Sequence, residues 1–239
     1  MKIALIGYGK MGHAIEQVAL KRGHEIVLRI TSANKEDMDT AHLRQADVAI
    51  EFTRPDSAKE NVLTCLAAGL NVVCGTTGWN DGLNMAAITA QEHKVAFLHA
   101  SNFSIGVNIF FEVNKLLANL MNGHTEYHPL IEETHHTQKK DAPSGTAITL
   151  ADQITARIDG LKRWVLNDTN EPDALPILAH RVENVPGTHK VIYNSPTDSI
   201  EITHTAHNRD GFALGAVLAA EYIAGKNGVF TMQDVLGIK

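Results

Sequence analysis

The chain has 239 residues, 44% of them hydrophobic, and a formal net charge of −6, enough to bury a real core in one large domain or two small ones. The acidic balance and the lack of a long Lys/Arg stripe argue against generic nucleic-acid binding, and no apolar run is long enough to span a membrane. The chain enters a strand at once without a secretory pattern, and Cys65 and Cys74, its only cysteines, fall in apolar stretches, as expected of reduced packing thiols in a cytoplasmic protein.

The first hundred residues alternate strand and helix. A short apolar strand, Ile3–Ile6, runs into Gly7-Tyr8-Gly9-Lys10-Met11-Gly12, a G-x-G-x-x-G spacing. Ile15, Val18 and Ala19 then follow at helical spacing and Gly23 closes the run. In a dinucleotide-binding turn, Gly7 permits the sharp bend, Gly9 lets backbone approach a pyrophosphate, and Gly12 lets helix and strand pack closely. The competing reading is a structural glycine turn, and the strand–turn–helix context favours the dinucleotide. Further strands are predicted at Glu25–Ile30, Ala46–Phe52, Leu70–Cys74 and Val95–Leu98. A helix from Pro55 to Ala68 has Pro in its first turn and Gly69 just beyond its end. This alternation predicts a doubly wound parallel sheet, with ligands bound off the carboxyl ends of its strands. Two more loops fall there: Gly75-Thr76-Thr77-Gly78 and Ala100-Ser101-Asn102-Phe103. The first is equally readable as ordinary turn chemistry.

The second strand ends in Thr31-Ser32-Ala33-Asn34-Lys35, with no acid at its tip. Dinucleotide folds selective for NAD usually place Asp or Glu there to bind the ribose hydroxyls. Thr31 and Ser32 would not repel a 2′-phosphate, and Arg29 or Lys35 could add positive charge. The expectation is NADPH or NADH with a lean to NADPH; the alternative is a polar turn with affinity set by backbone contacts.

The pattern changes near Ser101. Ile109, Phe110, Val113, Leu116, Leu117 and Leu120 predict a helix, followed by a strand at Glu126–Thr134 and a second helix from about Ser144. Asp159 to Pro176 reads as a long loop. Strand-like runs follow at Ile177–Asn184, His189–Asn194 and Ser199–His207, where Ile200 and Ile202 alternate with Glu201 and Thr203 as in a sheet with one open face. A small-residue helix, Phe212 to Ala224, and a short one near Met232 end the chain.

The stretch Glu133-Thr-His135-His136-Thr-Gln-Lys139-Lys140-Asp141-Ala-Pro143-Ser144-Gly145-Thr146 carries the most chemistry. It sets imidazoles and ammonium groups ahead of a helix start, whose unpaired N–H groups attract anions. The alternative is a solvated loop before an ordinary capped helix. A metal is not expected: there is no H-E-x-x-H, and His135 and His136, like His204 and His207, diverge on a strand. Cys74 has no paired base in the sequence and is read as packing, not as a nucleophile.

The spacing Glu133-x-His135-His136-x-x-Lys139-x-Asp141-x-Pro143-Ser144-Gly145-Thr146-Ala147 closely resembles the signature of the 4-hydroxy-tetrahydrodipicolinate (dihydrodipicolinate) reductase family. The glycine motif, Val73–Trp79, Ala100–Ser104, Val185-Pro186-Gly187-Thr188-His189 and the segment from His207 through Arg209 and Phe212 to Ala216 extend the likeness over nearly the whole chain. Thr137 and Gln138 depart from it, standing where many relatives carry basic side chains. The resemblance implies a Rossmann-type domain, residues 1–101 and 211–239, binding NADPH or NADH through Gly7, Tyr8, Gly9, Lys10, Met11, Gly12, Thr31, Ser32, Gly75, Thr76, Thr77, Ala100, Ser101, Asn102 and Phe103. Between these segments it implies an α+β domain, residues 102–210, whose open mixed sheet binds substrate and builds a homotetramer. His135 is then the proton donor and Lys139 its helper. His136, Lys139, Ser144, Gly145 and Thr146 hold a small cyclic dicarboxylate, with no metal, nucleic acid or membrane partner. The second domain would also act as a lid, hinged near Ser101–Gly106 and Asn208–Gly211. Two other classes remain open: another two-domain Rossmann dehydrogenase of an amino or sugar acid, and a non-enzymatic dinucleotide sensor.

Overall fold

A computed structural model describes every residue except Asp168, Arg209 and Lys239; the Arg209 part of the family likeness and of the second hinge lies outside the described residues. In chain order the elements are β1 (Lys2–Ile6), α1 (Lys10–Lys21), β2 (Glu25–Ile30), α2 (Thr40–Leu43), β3 (Val48–Glu51), α3 (Pro55–Ala67), β4 (Asn71–Cys74), α4 (Leu83–Glu92) and β5 (Ala96–His99). Then come α5 (Ile105–Met121), β6 (His128–His135), α6 (Gly145–Thr155), β7 (Arg163–Leu166), β8 (Ala174–Arg181), β9 (Gly187–Asn194) and β10 (Ser199–Ala206). The chain closes with α7 (Asp210–Ile223), β11 (Gly228–Phe230) and α8 (Met232–Leu236). Contacts divide it into two units, Met1–Ile105 with the described part of 209–239, and Gly106–Asn208.

In the first unit every strand pairing is parallel and the order is β11-β5-β4-β3-β1-β2. Apolar side chains on both faces of β1, β3 and β4 leave these strands almost wholly buried, as a sheet covered on both sides requires. One face packs against Val62, Cys65 and Leu66 of α3 and Ala86 and Ala90 of α4. The other packs against Ile15 and Ala19 of α1 and Ala213, Ala216 and Ala220 of α7. The small residues of α7 let its backbone approach closely: a Cβ on Gly215 would meet the Phe103 carbonyl oxygen at 1.7 Å. Burial pushes the Cys65 thiol up to about 12 and the Cys74 thiol higher still, so neither is a ready nucleophile.

The second unit holds a mixed sheet of order β10-β9-β6-β8-β7, antiparallel on the β9 side and parallel on the β8 side. Val107, Phe110, Leu150, Ala151 and Ile154 of α5 and α6 pack with Ile131, Ile177, Val191 and Tyr193 on one face. Strand alternation puts Glu133 and His135 on that same covered face as Ile131. Leu130, Leu178 and Ile192 alternate to the opposite face and belong to none of the core clusters.

The loop predicted for Asp159 to Pro176 is corrected. Within it Arg163-Trp164-Val165-Leu166 forms β7 and Ala174 opens β8, pairing in parallel. Four residues between polar flanks carry too little periodicity to declare a strand, so β8 supplies the evidence by accepting it. The short β11 was hidden for the same reason and adds beside β5. Among the described residues no helix is long and apolar enough to cross a membrane.

Candidate active site

In the first unit three loops leave the carboxyl ends of β1, β4 and β5. Gly7 has a φ of +97°, and a Cβ there would lie 2.1 Å from the Phe52 carbonyl oxygen, so only glycine fits the bend. A Cβ on Gly12 would lie 2.4 Å from the Gly7 oxygen, whereas one on Gly9 would meet nothing within 4 Å. Gly9 caps α1, and Lys10 and Met11 begin that helix. The turn is therefore tight below and open above, a cradle that fits a pyrophosphate at a helix N-terminus.

Around it, Tyr8 bonds through its hydroxyl to Glu16, which Arg29 also clamps. The guanidinium holds the Glu16 carboxyl below the usual range. At the tip of β2 the Thr31 N–H and hydroxyl both donate to Asn34 Oδ1, at 2.8 and 2.7 Å. Ser32 is exposed, and Lys35 pairs with Glu60 at 2.6 Å. Arg29 and Lys35, considered above as charge for a 2′-phosphate, thus carry internal carboxylate partners. Gly75 lies under the Phe52 ring, which a Cβ would strike at 2.2 Å. Buried Thr76 accepts the Thr53 N–H on Oγ1, and its carbonyl accepts from Trp79 Nε1, while Thr77 is exposed. Ala100 N donates to the Cys74 carbonyl, Ser101 is exposed, and Asn102 Oδ1 accepts the Ser104 N–H. Phe103 is buried against Phe52, ring centroids 5.6 Å apart. Its ring belongs to the core, so only backbone could serve a ligand there.

In the second unit the end of β6 and the start of α6 meet at one buried carboxylate. Glu133, with 0% exposure, accepts the Ser144 N–H at 3.0 Å and both terminal Arg181 nitrogens at 3.3 Å. Arg181 also donates to the carbonyls of Lys139 at 3.3 Å and Asp141 at 2.6 Å, tying down the intervening loop. His135 is buried at 8% exposure, and its Nδ1 stands 3.5 Å from Glu133 Oε2 with no hydrogen-bond partner. Its other edge lies against β9, where a Cβ on Gly187 would be 3.0 Å from Nε2. His189 packs edge-on to it at 5.0 Å between centroids and shares a 3.0 Å hydrogen bond with Ser144 Oγ.

Burial lowers the proton affinity of His135; Glu133 raises it, Lys139 and Arg181 lower it, Asp141 raises it, and the result lies below the ordinary value. Burial also pulls His189 down to about 3, with His135, His204 and Lys139 adding to the effect. Lys139 Nζ holds Asp141 at 2.7 and 2.9 Å, at the exposed edge of the loop. Burial raises the Asp141 carboxyl, but Lys139 and Arg181 pull it below the usual range. His136 is half-buried.

Ser144 caps α6, its Oγ accepting the Ala147 N–H at 3.2 Å. Its own N–H and hydroxyl are engaged inside the protein; Gly145, exposed, and Thr146, half-buried, are the first helical residues. Alternation separates His135 from His136, but β9 brings in a histidine that periodicity does not connect to them. Ligand atoms of Glu133, His135 and His189 lie within 4.8 Å of one another. Sequence reasoning gave Glu133, Arg181, Gly187 and His189 no role. Glu133 was legible, two residues before His135 on one strand face; Arg181 and His189 depend on sheet register.

Residues 1–103 match the family described as "Dihydrodipicolinate reductase, N-terminus" and residues 106–236 its C-terminal counterpart. A 4-hydroxy-tetrahydrodipicolinate reductase of Christiangramia forsetii is 51% identical over 99% of this chain and 98% of its own. The enzyme of that name from Neisseria meningitidis serogroup A is 35% identical over 93% of this chain and 84% of its own. Among solved structures, a dipicolinate-bound dihydrodipicolinate reductase from Paenisporosarcina sp. TG-14 has a TM-score of 0.78 at 21% identity, covering 98% of both chains, a likeness of fold. The chain belongs to the dihydrodipicolinate reductase family.

Proposed function

We infer that this chain is a pyridine-nucleotide-dependent oxidoreductase that reduces 4-hydroxy-tetrahydrodipicolinate to tetrahydrodipicolinate, in the diaminopimelate route to lysine. The full-length 51% identity to a reductase of that name carries the reading. The first unit serves as the dinucleotide domain and the second as the substrate and assembly domain, in the cytoplasm. Bound NADPH or NADH supplies a hydride to an electron-poor ring carbon. The residues proposed to hold it are Gly7–Gly12 at the pyrophosphate, Thr31 and Ser32 at the ribose, and the 75–77 and 100–103 loops near the nicotinamide. Both dinucleotides serve, with NADPH favoured.

The other tasks fall to the second unit. The substrate is a cyclic dicarboxylate. One carboxylate exchanges with Asp141 on Lys139, and the N–H groups of Gly145 and Thr146 receive an anion at the start of α6. Ser144 acts as the cap that aims them, and His136 borders the site. His135 gives the proton that completes the reduction, with the nearby Lys139 charge favouring its release. The reduction adds one hydride and one proton, and the 4-hydroxyl group leaves as water, so the overall conversion balances.

The test is nicotinamide absorbance on mixing the protein with NADPH or NADH and freshly generated 4-hydroxy-tetrahydrodipicolinate. Substrate-dependent oxidation is expected. Folded protein inert with both cofactors would overturn the reading, and dinucleotide binding without turnover would favour a sensor.

A further inference from the structure

The converging atoms of Glu133, His135 and His189 make a donor set that a transition metal could use. The neighbours of Glu133 decide against that use. Its carboxylate already accepts the Ser144 N–H at 3.0 Å and a guanidinium at 3.3 Å, so a metal ion would share the carboxylate with an adjacent positive charge. The same geometry suits holding a proton. A carboxylate 3.5 Å from one imidazole nitrogen favours the charged ring and leaves the other nitrogen to act.

We propose that Glu133 is the positioning residue of the reaction, its carboxylate set 3.5 Å from His135 Nδ1 to keep the ring able to carry the proton it delivers. The proposal rests on the reading of His135 as the acid. Several titratable groups face the His135 ring: Glu133 from its own strand, Lys139 and Asp141 from the loop, Arg181 from β8 and the neutral His189 from β9, with His204 of β10 acting on His189 in turn. Burial, Lys139 and Arg181 drive the proton off; Glu133 and Asp141 retain it. Asp141 is largely exposed and turned to Lys139, whereas Glu133 has no solvent to screen it. Without Glu133, His135 would be a buried ring among cations, and its proton affinity would fall further below the ordinary value.

The pairing is read directly by NMR of the enzyme labelled at histidine Cε1, with the His135 signal identified by its loss in His135→Gln. Glu133→Gln should lower the His135 titration midpoint by about one pH unit or more, the size expected for one close opposite charge. The alkaline limb of kcat/KM should move down with it, because the acid must be protonated to act. Glu133→Asp draws the carboxylate back by one methylene and should lower the midpoint less, which keeps the test open if Glu133→Gln does not fold. An unchanged midpoint in folded Glu133→Gln, or in Glu133→Asp where only that variant folds, overturns the proposal. Near-wild-type turnover in His135→Gln overturns the acid reading instead, whatever the midpoint does.

Discussion

A histidine kept neutral inside a protein makes the fold sensitive to acid, and His189 is such a residue. Its affinity is depressed to about 3 by burial and nearby positive charge, against about 6.5 in an unfolded chain. Above pH 6.5 the ring is neutral in both states and contributes nothing to the pH dependence. Below 6.5 the unfolded chain takes up a proton that the native ring refuses, so stability falls with falling pH at up to about 1.4 kcal/mol per unit. His135 and His204, both also lowered by burial, add to the loss over narrower windows. Urea titrations at pH 7, 6, 5 and 4 should therefore show a shallower acid decline in His189→Gln than in wild type; parallel declines would mean that His189 is not the group responsible. The neighbouring ring gives a kinetic prediction. Loss of a placed general acid typically costs about 10²–10⁴-fold, so His135→Gln should lower kcat by that order while raising substrate KM far less. Lys139→Ala should damage both, because it removes the carboxylate partner as well as a charge beside the acid.

At the scale of elements, the glycines separate packing from binding. Gly215→Ala on α7 forces a methyl into the Phe103 carbonyl, where 1.7 Å is available. Backbone cannot swing aside like a side chain, so the cost should reach the upper end of the about 1–3 kcal/mol typical of overpacking, read as a lower Tm. Gly9→Ala meets nothing within 4 Å and should leave Tm near wild type while weakening NADPH binding, measured by fluorescence titration. An unaltered NADPH Kd would remove the α1 turn from the cofactor site. Thr31→Asp at the tip of β2 should lower the NADPH/NADH ratio of kcat/KM, about tenfold for each 1.4 kcal/mol of differential binding lost; an unmoved ratio would leave selectivity to backbone contacts. These elements differed in how far the sequence revealed them. Gly7 and Gly12 were legible because each answers a local backbone demand, whereas a Cβ on Gly9 would meet nothing within 4 Å. The burial of Glu133 beside His135 was also within reach, since a period of two puts them on one face. Arg181 and His189 were not, because register with β6 places them and register is set by tertiary packing. Likewise β7 and β11 are too short to show a period, and the strands beside them define them.

For the whole molecule, the second sheet poses a problem that one chain leaves unsolved. Its helix-facing side is filled by α5 and α6, while the half-buried Leu130 and Leu178 and the buried Ile192 point the other way, outside every core cluster. Around them Lys190 pairs with Glu201 at 3.3 Å and Thr203 and Thr205 are exposed on the edge strand β10. An apolar centre with a charged and hydroxylated margin fits an interface between subunits. Association through one shared patch is isologous, and two such contacts at different angles close a four-subunit ring with dihedral symmetry. Light scattering should therefore report about four times the 26.0 kDa chain mass, in line with the homotetramer that the family resemblance implies. Leu178→Glu puts a charge at the centre of that face and should shift the population toward dimers and monomers, with the circular dichroism of the folded chain retained. A monomeric wild type would discard the assembly. A tetramer indifferent to Leu178→Glu would move its interface elsewhere, and the exposed apolar row of α5, Ile109, Val113, Leu116 and Leu120, would be the next surface to charge.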